Sequence, residues 1–354
     1  MPAPKEAGRR SHRIFFVVTN LVSLACLIWV LHDANLGELR HEVPQLSWWW
    51  VALALSSDVL VYLWHGWRWT LLLTPVKPIS FRQSVKAVYV GLFANEILPL
   101  RAGEVIRCFL QARWNAVPLS VSLASVLIER IFDGVWLLVG LFLTIHYVPG
   151  VHQSIIDGAY LLGTLIVLTA TFLGVAMYWK EQTLDALAKA KWLKWVHILV
   201  KDLHLIGHSR YLYFAALISL PYLLTQVVPI YAMVRAYHPL DGLPLIAAFA
   251  MMVILRLGAV VPQAPGNLGA FQALAVVSLL LFHVPRALAK RFSVLLWAAV
   301  TLPLLLVGFM ALAMTGANMQ ELHREAQDEM NSREARPEEG KRGCEGPSEK
   351  PAVH

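Results

Sequence analysis

Four stretches of this chain, Ile14–Leu31, Ala159–Trp179, Tyr211–Met233 and Phe292–Thr315, each run for 18 residues or more without an Asp, Glu, Lys or Arg. About 20 apolar residues in a helix cross a hydrocarbon core roughly 30 Å thick. Inside lipid a backbone must satisfy its own hydrogen bonds, which leaves only helices or closed barrels. The alternating segments of ~10 residues that mark a membrane barrel are absent. The expected fold class is therefore an all-α polytopic membrane protein. Composition agrees: 57% of the 354 residues are hydrophobic and 15% are charged, where a soluble domain carries roughly 25% charged residues.

The charges that remain are unevenly placed. The segment from Met319 to the end holds nine acids and six Lys/Arg, so it contributes −3 to the net +7 and leaves the body at about +10. A basic body favours membrane lipids with anionic headgroups as partners, and a membrane chain of this kind is not expected to bind nucleic acid. Cys26, Cys108 and Cys344 have no disulfide or zinc spacing, so neither a metal nor a cofactor is expected.

Lys5, Arg9, Arg10 and Arg13 precede the first apolar run and place a basic N-terminal segment, 1–13, in the cytoplasm by the positive-inside rule. The run at 14–31 lacks a cleavage-site pattern and is read as a transmembrane helix rather than a signal peptide. The membrane domain extends over 14–315. Lysine-rich residues 180–210, with apolar positions at helical spacing, form an expected cytoplasmic surface helix. The Glu/Pro/Gly/Lys-rich residues 316–354 read as a disordered cytoplasmic tail. Both termini are then cytoplasmic, in a multi-pass protein of the cell membrane. Arg286, Lys290 and Arg291 fall in an external turn on this topology, against the rule.

Two hydrophobic segments are interrupted by proline and glycine. Ser84–Trp114 breaks at Pro99-Leu-Arg-Ala-Gly103, and Leu243–His283 breaks at Pro262-Gln-Ala-Pro-Gly266. Both breaks read P-x-x-x-G, and the two segments enter from opposite faces. The expectation is about six full spans plus two broken helical hairpins, eight to ten hydrophobic helices in all. Such paired interruptions point to an inverted repeat with a binding site where the breaks meet.

Charges cluster at these breaks although each costs roughly 2.5–3.5 kcal/mol at the centre of a spanning helix. Glu96, Arg101, Glu104 and Arg107 surround the first break, with Glu104 and Arg107 spaced to pair on one helix. The helix opening at Gly103 offers free N–H groups and a dipole to an anion, which makes Arg101 a candidate phosphate ligand; snorkelling, or pairing with Glu96, is the structural alternative. Glu129, Arg130 and Asp133 form a second cluster, whose carboxylates could bind a cation, move protons, or pair with Arg101, Arg107 or Arg256. Arg256 precedes the second break, where Gly266 and Gly269 permit tight turns or close helix approach. Asp58, His65 and Arg68 read as structural, with Arg68 within reach of an interface.

Taken in order, N-E-x-x-P-x-R-A-G-E-x-x-R, then E-R-x-x-D, then P-x-x-P-G-x-L-G-x-F-Q resembles the lysylphosphatidylglycerol synthase transmembrane-region family, over about Ile14–Thr315. The resemblance implies a membrane protein that handles lipids, in its best-described members by moving an aminoacylated phospholipid between leaflets. It also implies that Glu96, Arg101, Glu104, Arg107, Glu129, Arg130, Asp133, Pro265, Gly266 and Gly269 occupy motif positions. Asn267 and Gln272 depart from the Gly and Glu expected in many members. The soluble aminoacyltransferase domain of the full synthase has no counterpart after the last span, so lysine transfer is not expected.

The expected function is a lipid flippase or transporter for an anionic or phosphate-bearing lipid. Its expected substrate-binding residues are Arg101, Gly103, Glu104, Arg107, Arg256, Gly266 and Gly269, with Glu96, Glu129, Arg130 and Asp133 as gating or ion-pair residues. No catalytic residue is expected and the chain is not expected to be an enzyme; Walker A, H-E-x-x-H and G-x-S-x-G patterns are absent. The alternatives are an accessory subunit, partnered with a lipid-synthesis enzyme of lipid or envelope biosynthesis, and a membrane-embedded lipid transferase.

Overall fold

A computed structural model describes residues 21–30, 32, 36–98, 102–148, 153–178, 209–259, 264–315, 324, 325 and 328. The described regular structure is helical. Helix α1 covers Leu21–Val30, followed by a short α2 at Leu36–Glu42 and a long α3 at Trp48–Leu73. Helices α4 (Phe81–Ile97) and α5 (Gly103–Asn115) flank the first break, and α6 (Leu119–Tyr147) and α7 (Gln153–Tyr178) follow. Then come α8 (Arg210–Thr225), α9 (Val227–Ala236), α10 (Leu245–Gly258), α11 (Ala270–Leu280) and α12 (Arg286–Ala313). Among the described residues, Arg210–Ala236 and Arg286–Ala313 are long and apolar enough to cross a membrane. Gly37–Gln45 and Trp48–Leu73 would add a third span if the pair, bent by 94°, is one broken element. The expected surface helix at 180–210 lies outside the described residues, as do Pro99, Arg101 and Pro262 of the two breaks.

Local chemistry explains several boundaries. Pro118, Pro244 and Pro285 stand at the N-caps of α6, α10 and α12, where proline's missing N–H removes no helical hydrogen bond. Pro229 cannot donate to the carbonyl of Thr225, and the helix is interrupted there, between α8 and α9. The interruption leaves Gln226 at the junction.

Each hairpin packs on itself through small residues. Gly91 and Gly103 bring α4 and α5 so close that a Cβ on Gly103 would lie 1.9 Å from the Gly91 carbonyl oxygen. Gly258 packs against Leu274 between α10 and α11, and Gly308 of α12 lies against Phe93 and the Tyr89 carbonyl of α4. At the second break Gly266 and Gly269 have φ of 72° and 85°, a region glycine enters without steric cost. Gly269 also sits against the Ser23 carbonyl of α1, 1.9 Å from where a Cβ would be. The Trp297 indole of α12 donates to the Gly266 carbonyl at 2.9 Å, tying down the same turn.

Two apolar cores result. One joins the C-terminal part of α3 with α4, α5, the start of α6 and the end of α12. The other joins the start of α3 with the end of α6, α9, α10, α11 and the start of α12. Helices α3, α6, α8 and α12 contribute to both, and on α3, α6 and α8 the change-over falls at polar residues: Asp58, His65 and Arg68; Glu129 and Asp133; Ser219. The outer faces are apolar instead, with Leu306, Phe309, Leu217 and Trp49 exposed. Polar residues inside and hydrophobic ones outside invert the usual soluble pattern and suit a lipid environment.

Arg286, Lys290 and Arg291, expected in a turn, instead lie in the first two turns of α12, and two of them are engaged within the molecule. Arg291 pairs with Glu38 at 2.5 Å and Glu42 at 3.1 Å, on the α2 elbow. Lys290 is buried and donates to the Trp29 carbonyl at 2.6 Å. Tyr237 donates to Glu42 at 2.5 Å; burial, with this bond added, pushes its phenol up to about 12, so it stays a donor at neutral pH. At another surface Arg113, in the last turn of α5, meets Glu325 at 2.7 Å.

Replacing Gly103 by Ala is expected to cost about 1–3 kcal/mol through overpacking against α4. Gly158→Ala, where a Cβ would meet nothing within 4 Å, should be neutral or stabilising by up to about 1 kcal/mol. Unfolding of the two variants in mixed detergent micelles checks the contrast.

Candidate functional site

The polar layer between the two cores begins with Glu129, which is fully buried on α6. Its Oε2 accepts from Arg107 Nη2 of α5 at 2.7 Å. Its Oε1 lies 3.6 Å from both Arg68 Nε and His65 Nε2 of α3. Arg68, also fully buried, grips Asp133 with Nη1 at 2.5 Å and Nη2 at 3.4 Å, and donates to Ser219 at 3.1 Å. Arg130 pairs with Glu104 at 2.6 Å and lies 3.6 Å from Asp133. Three arginines and three carboxylates from α3, α5 and α6 thus form one continuous, charge-balanced cluster. Arg107 Nη1 donates to His65 Nε2 at 2.6 Å. An arginine has no acceptor atom, so this nitrogen of His65 must be the unprotonated one. The flat guanidiniums also lie over rings: Arg107 over Trp69 and Arg68 over Tyr222, each 4.8 Å from the centroid.

Beside the cluster is a cavity of about 250 Å³, walled by residues of α3, α4, α5, α6, α8, α9, α10, α11 and α12. Its charged members are Asp58, Glu96, Glu104, Arg130 and Arg256, with Tyr222 and Asn267 beside them. Arg256 donates from Nε to the Gln226 side-chain oxygen and from Nη2 to the Tyr222 hydroxyl at 3.1 Å. Among the described residues these hydrogen-bond partners carry no charge, unlike those of Arg68, Arg107 and Arg130. The Pro229-induced helix break is what presents Gln226 to Arg256. Asn267, in the 3-10 turn of the second break, donates to Glu96 near the end of α4 at 3.2 Å. The second break therefore meets the helix end that leads into the first, against the same cavity.

Several residues sit differently from the sequence-based expectation. Glu104 and Arg107 do not pair with each other; one turn of helix separates them toward different partners, Arg130 and Glu129. Glu104 and Arg130 still line the cavity, while Arg107 lies behind it in the cluster. Arg68 is not at an interface: it is enclosed between α3, α6 and α8. Asp58 is not absorbed into an ion pair but lines the cavity. Arg101 lies outside the described residues. Gly103, Gly266 and Gly269 serve as packing and turn positions. Tyr62, Tyr222 and Gln226 were not singled out by sequence; an amide three residues before Pro229 was the only signal for Gln226. Gln272, a departure from the resembled pattern, accepts from the Gly269 N–H at 2.6 Å and so caps α11. Among the described residues no cluster of metal-ligating side chains occurs.

Removing a partner from a buried ion pair strands the remaining charge and costs about 3–5 kcal/mol, whereas partly exposed pairs contribute about 0–1 kcal/mol. Glu129→Ala is therefore expected to be severely destabilising, while Glu104→Ala, whose pair is 26% and 41% exposed, should be tolerated. Thermal unfolding in detergent, read by tryptophan fluorescence, checks the order.

Residues 16–308 match the family described as the lysylphosphatidylglycerol synthase TM region. A UPF0104 membrane protein of Methanothermobacter thermautotrophicus is 27% identical over 169 residues, 48% of this chain and 47% of the relative. A UPF0104 membrane protein of Methanocaldococcus jannaschii is 24% identical over 142 residues, 38% of this chain and 40% of the relative. The matches thus span less than half the length of these curated relatives. No solved structure matches the chain. Because the family match runs through nearly every described helix, including both hairpins and the charged layer, the chain belongs to the family of the lysylphosphatidylglycerol synthase transmembrane region.

Proposed function

We propose that this membrane protein is a flippase or transporter that moves a phosphate-bearing lipid between leaflets, with Arg256 as the headgroup ligand. The observation that carries the proposal is the contrast in charge compensation. Arg68, Arg107 and Arg130 each contact a carboxylate, whereas the hydrogen-bond partners of Arg256 at the cavity wall are neutral. A buried charge needs a counter-charge, and a phosphate would supply one with good geometry for a guanidinium fork.

The dimensions support a headgroup rather than a whole lipid. About 250 Å³ equals roughly eight liquid-water volumes, enough for a phosphate and its substituent. Acyl chains would remain in the bilayer against the apolar outer faces. Hairpins α4–α5 and α10–α11 would enter from opposite faces as the halves of an inverted repeat, with about six spans around them and both termini in the cytoplasm of a plasma-membrane protein. The charge-balanced cluster would act as the gate, since its arginines can exchange carboxylates as helices shift. Catalysis is disfavoured because three of the four candidate acid–base groups, Glu104, Glu129 and Asp133, are engaged in ion pairs, while the fourth, Glu96, accepts a hydrogen bond from Asn267.

The test is reconstitution of the chain with fluorescent phosphatidylglycerol in proteoliposomes. Dithionite is then used to bleach whatever reaches the outer leaflet. Wild type should expose inner-leaflet probe, and Arg256→Ala should slow this by about tenfold or more, the loss of a charge-assisted hydrogen bond. Identical bleaching of protein-free and protein-bearing vesicles would sink the proposal.

A further inference from the structure

Asp58 is the charged residue of α3 that the ion cluster leaves out. It is 7% exposed and lines the cavity, and its Oδ2 has no hydrogen-bond partner. A buried carboxylate oxygen without a donor has a high free energy as an anion. The charges acting on it are Arg256 and Glu96, one of each sign. A phosphate arriving at Arg256 would add a negative charge to the same small space and take up the cation that now offsets Asp58. Protonation of Asp58 would relieve that repulsion.

We propose that Asp58 is a proton-binding site linked to the Arg256 headgroup site, so that the cavity takes up a phosphate-bearing lipid and a proton together. This rests on the lipid-binding role of Arg256 proposed above. In the step, one proton passes from bulk hydronium, relayed by cavity water, to an Asp58 carboxylate oxygen as one phosphodiester monoanion seats on the guanidinium. The pair enters with no net charge and leaves the same way. Linkage is reciprocal: if the lipid raises proton affinity, protons raise lipid affinity by the same factor. Lipid transport would then draw on a proton gradient.

Other groups face Asp58 and must be separated from it. Tyr62 and His65 lie on its own helix, Glu96 and Tyr89 on α4, Glu104 on α5, Arg130 on α6, Tyr222 on α8 and Arg256 on α10. Glu104 and Arg130 are paired with each other. Glu96 accepts from Asn267, and His65 accepts from Arg107 through Nε2. Asp58 is the carboxylate on this wall with no such contact.

The experiment uses the full chain in dodecyl maltoside, which contains no phosphate, and titrates it calorimetrically with short-chain phosphatidylglycerol. Repeating the titration in buffers of different ionisation enthalpy counts the protons taken up. Wild type should absorb up to one proton per lipid, with affinity rising by up to about tenfold per unit fall in pH within the titration window. Asp58→Asn, a fixed neutral mimic, should bind at neutral pH at least as tightly as wild type does at acid pH, with no proton uptake. Asp58→Glu should restore uptake. Proton uptake that persists in Asp58→Asn overturns the assignment and turns attention to Glu96 or His65. Arg256-dependent binding without proton uptake in wild type overturns the linkage alone, and that count stands even if the Asn variant does not fold. Absence of lipid binding at every pH overturns both this inference and the function it rests on.

Discussion

The carboxylate of Glu129 is the point on which this fold closes. It is fully buried where the two apolar cores meet, and it draws Arg107 from α5 and Arg68 from α3 onto α6. Each of those arginines would be prohibitively costly in a spanning helix without an anion beside it. Their partners are therefore not optional, and the relative positions of three helices are set by where the charges can be matched. The cation–π contacts with Trp69 and Tyr222 add to the same arrangement.

Compensation within the cluster gives meaning to what lies beside it. A cavity lined by paired charges alone would be a packing defect filled by water. This one contains a guanidinium held by an amide and a phenol, and a carboxylate whose Oδ2 receives no hydrogen bond. The same helices that hold the cluster also wall the cavity, and Arg130 and Tyr222 belong to both.

Close backbone approach is the second device. The glycines of the hairpins let α4 lie against α5 and α12 with backbone groups in contact, as small residues do at helix interfaces in membranes. That proximity delivers Glu96 to the second break, where Asn267 reaches it. Away from this centre, the acids of the α2 elbow neutralise Arg291.

Sequence alone determined the class of fold, because long uncharged runs have no other economical use than to span lipid. It also marked both breaks, since proline and glycine act locally, and the helix Arg286–Ala313 emerges over the uncharged run that begins at Phe292. What the sequence could not order were the partnerships. Glu104 and Arg107 share a helical face by spacing yet bond to different residues, because interhelical distances decide which opposite charge is nearest. Arg68 and Asp58 stand ten residues apart on one helix and both read as structural, Arg68 with an interface in reach; packing enclosed Arg68 in a cluster and turned Asp58 to a cavity. Spacing along a chain reports the face of a helix, but only tertiary structure decides what that face meets.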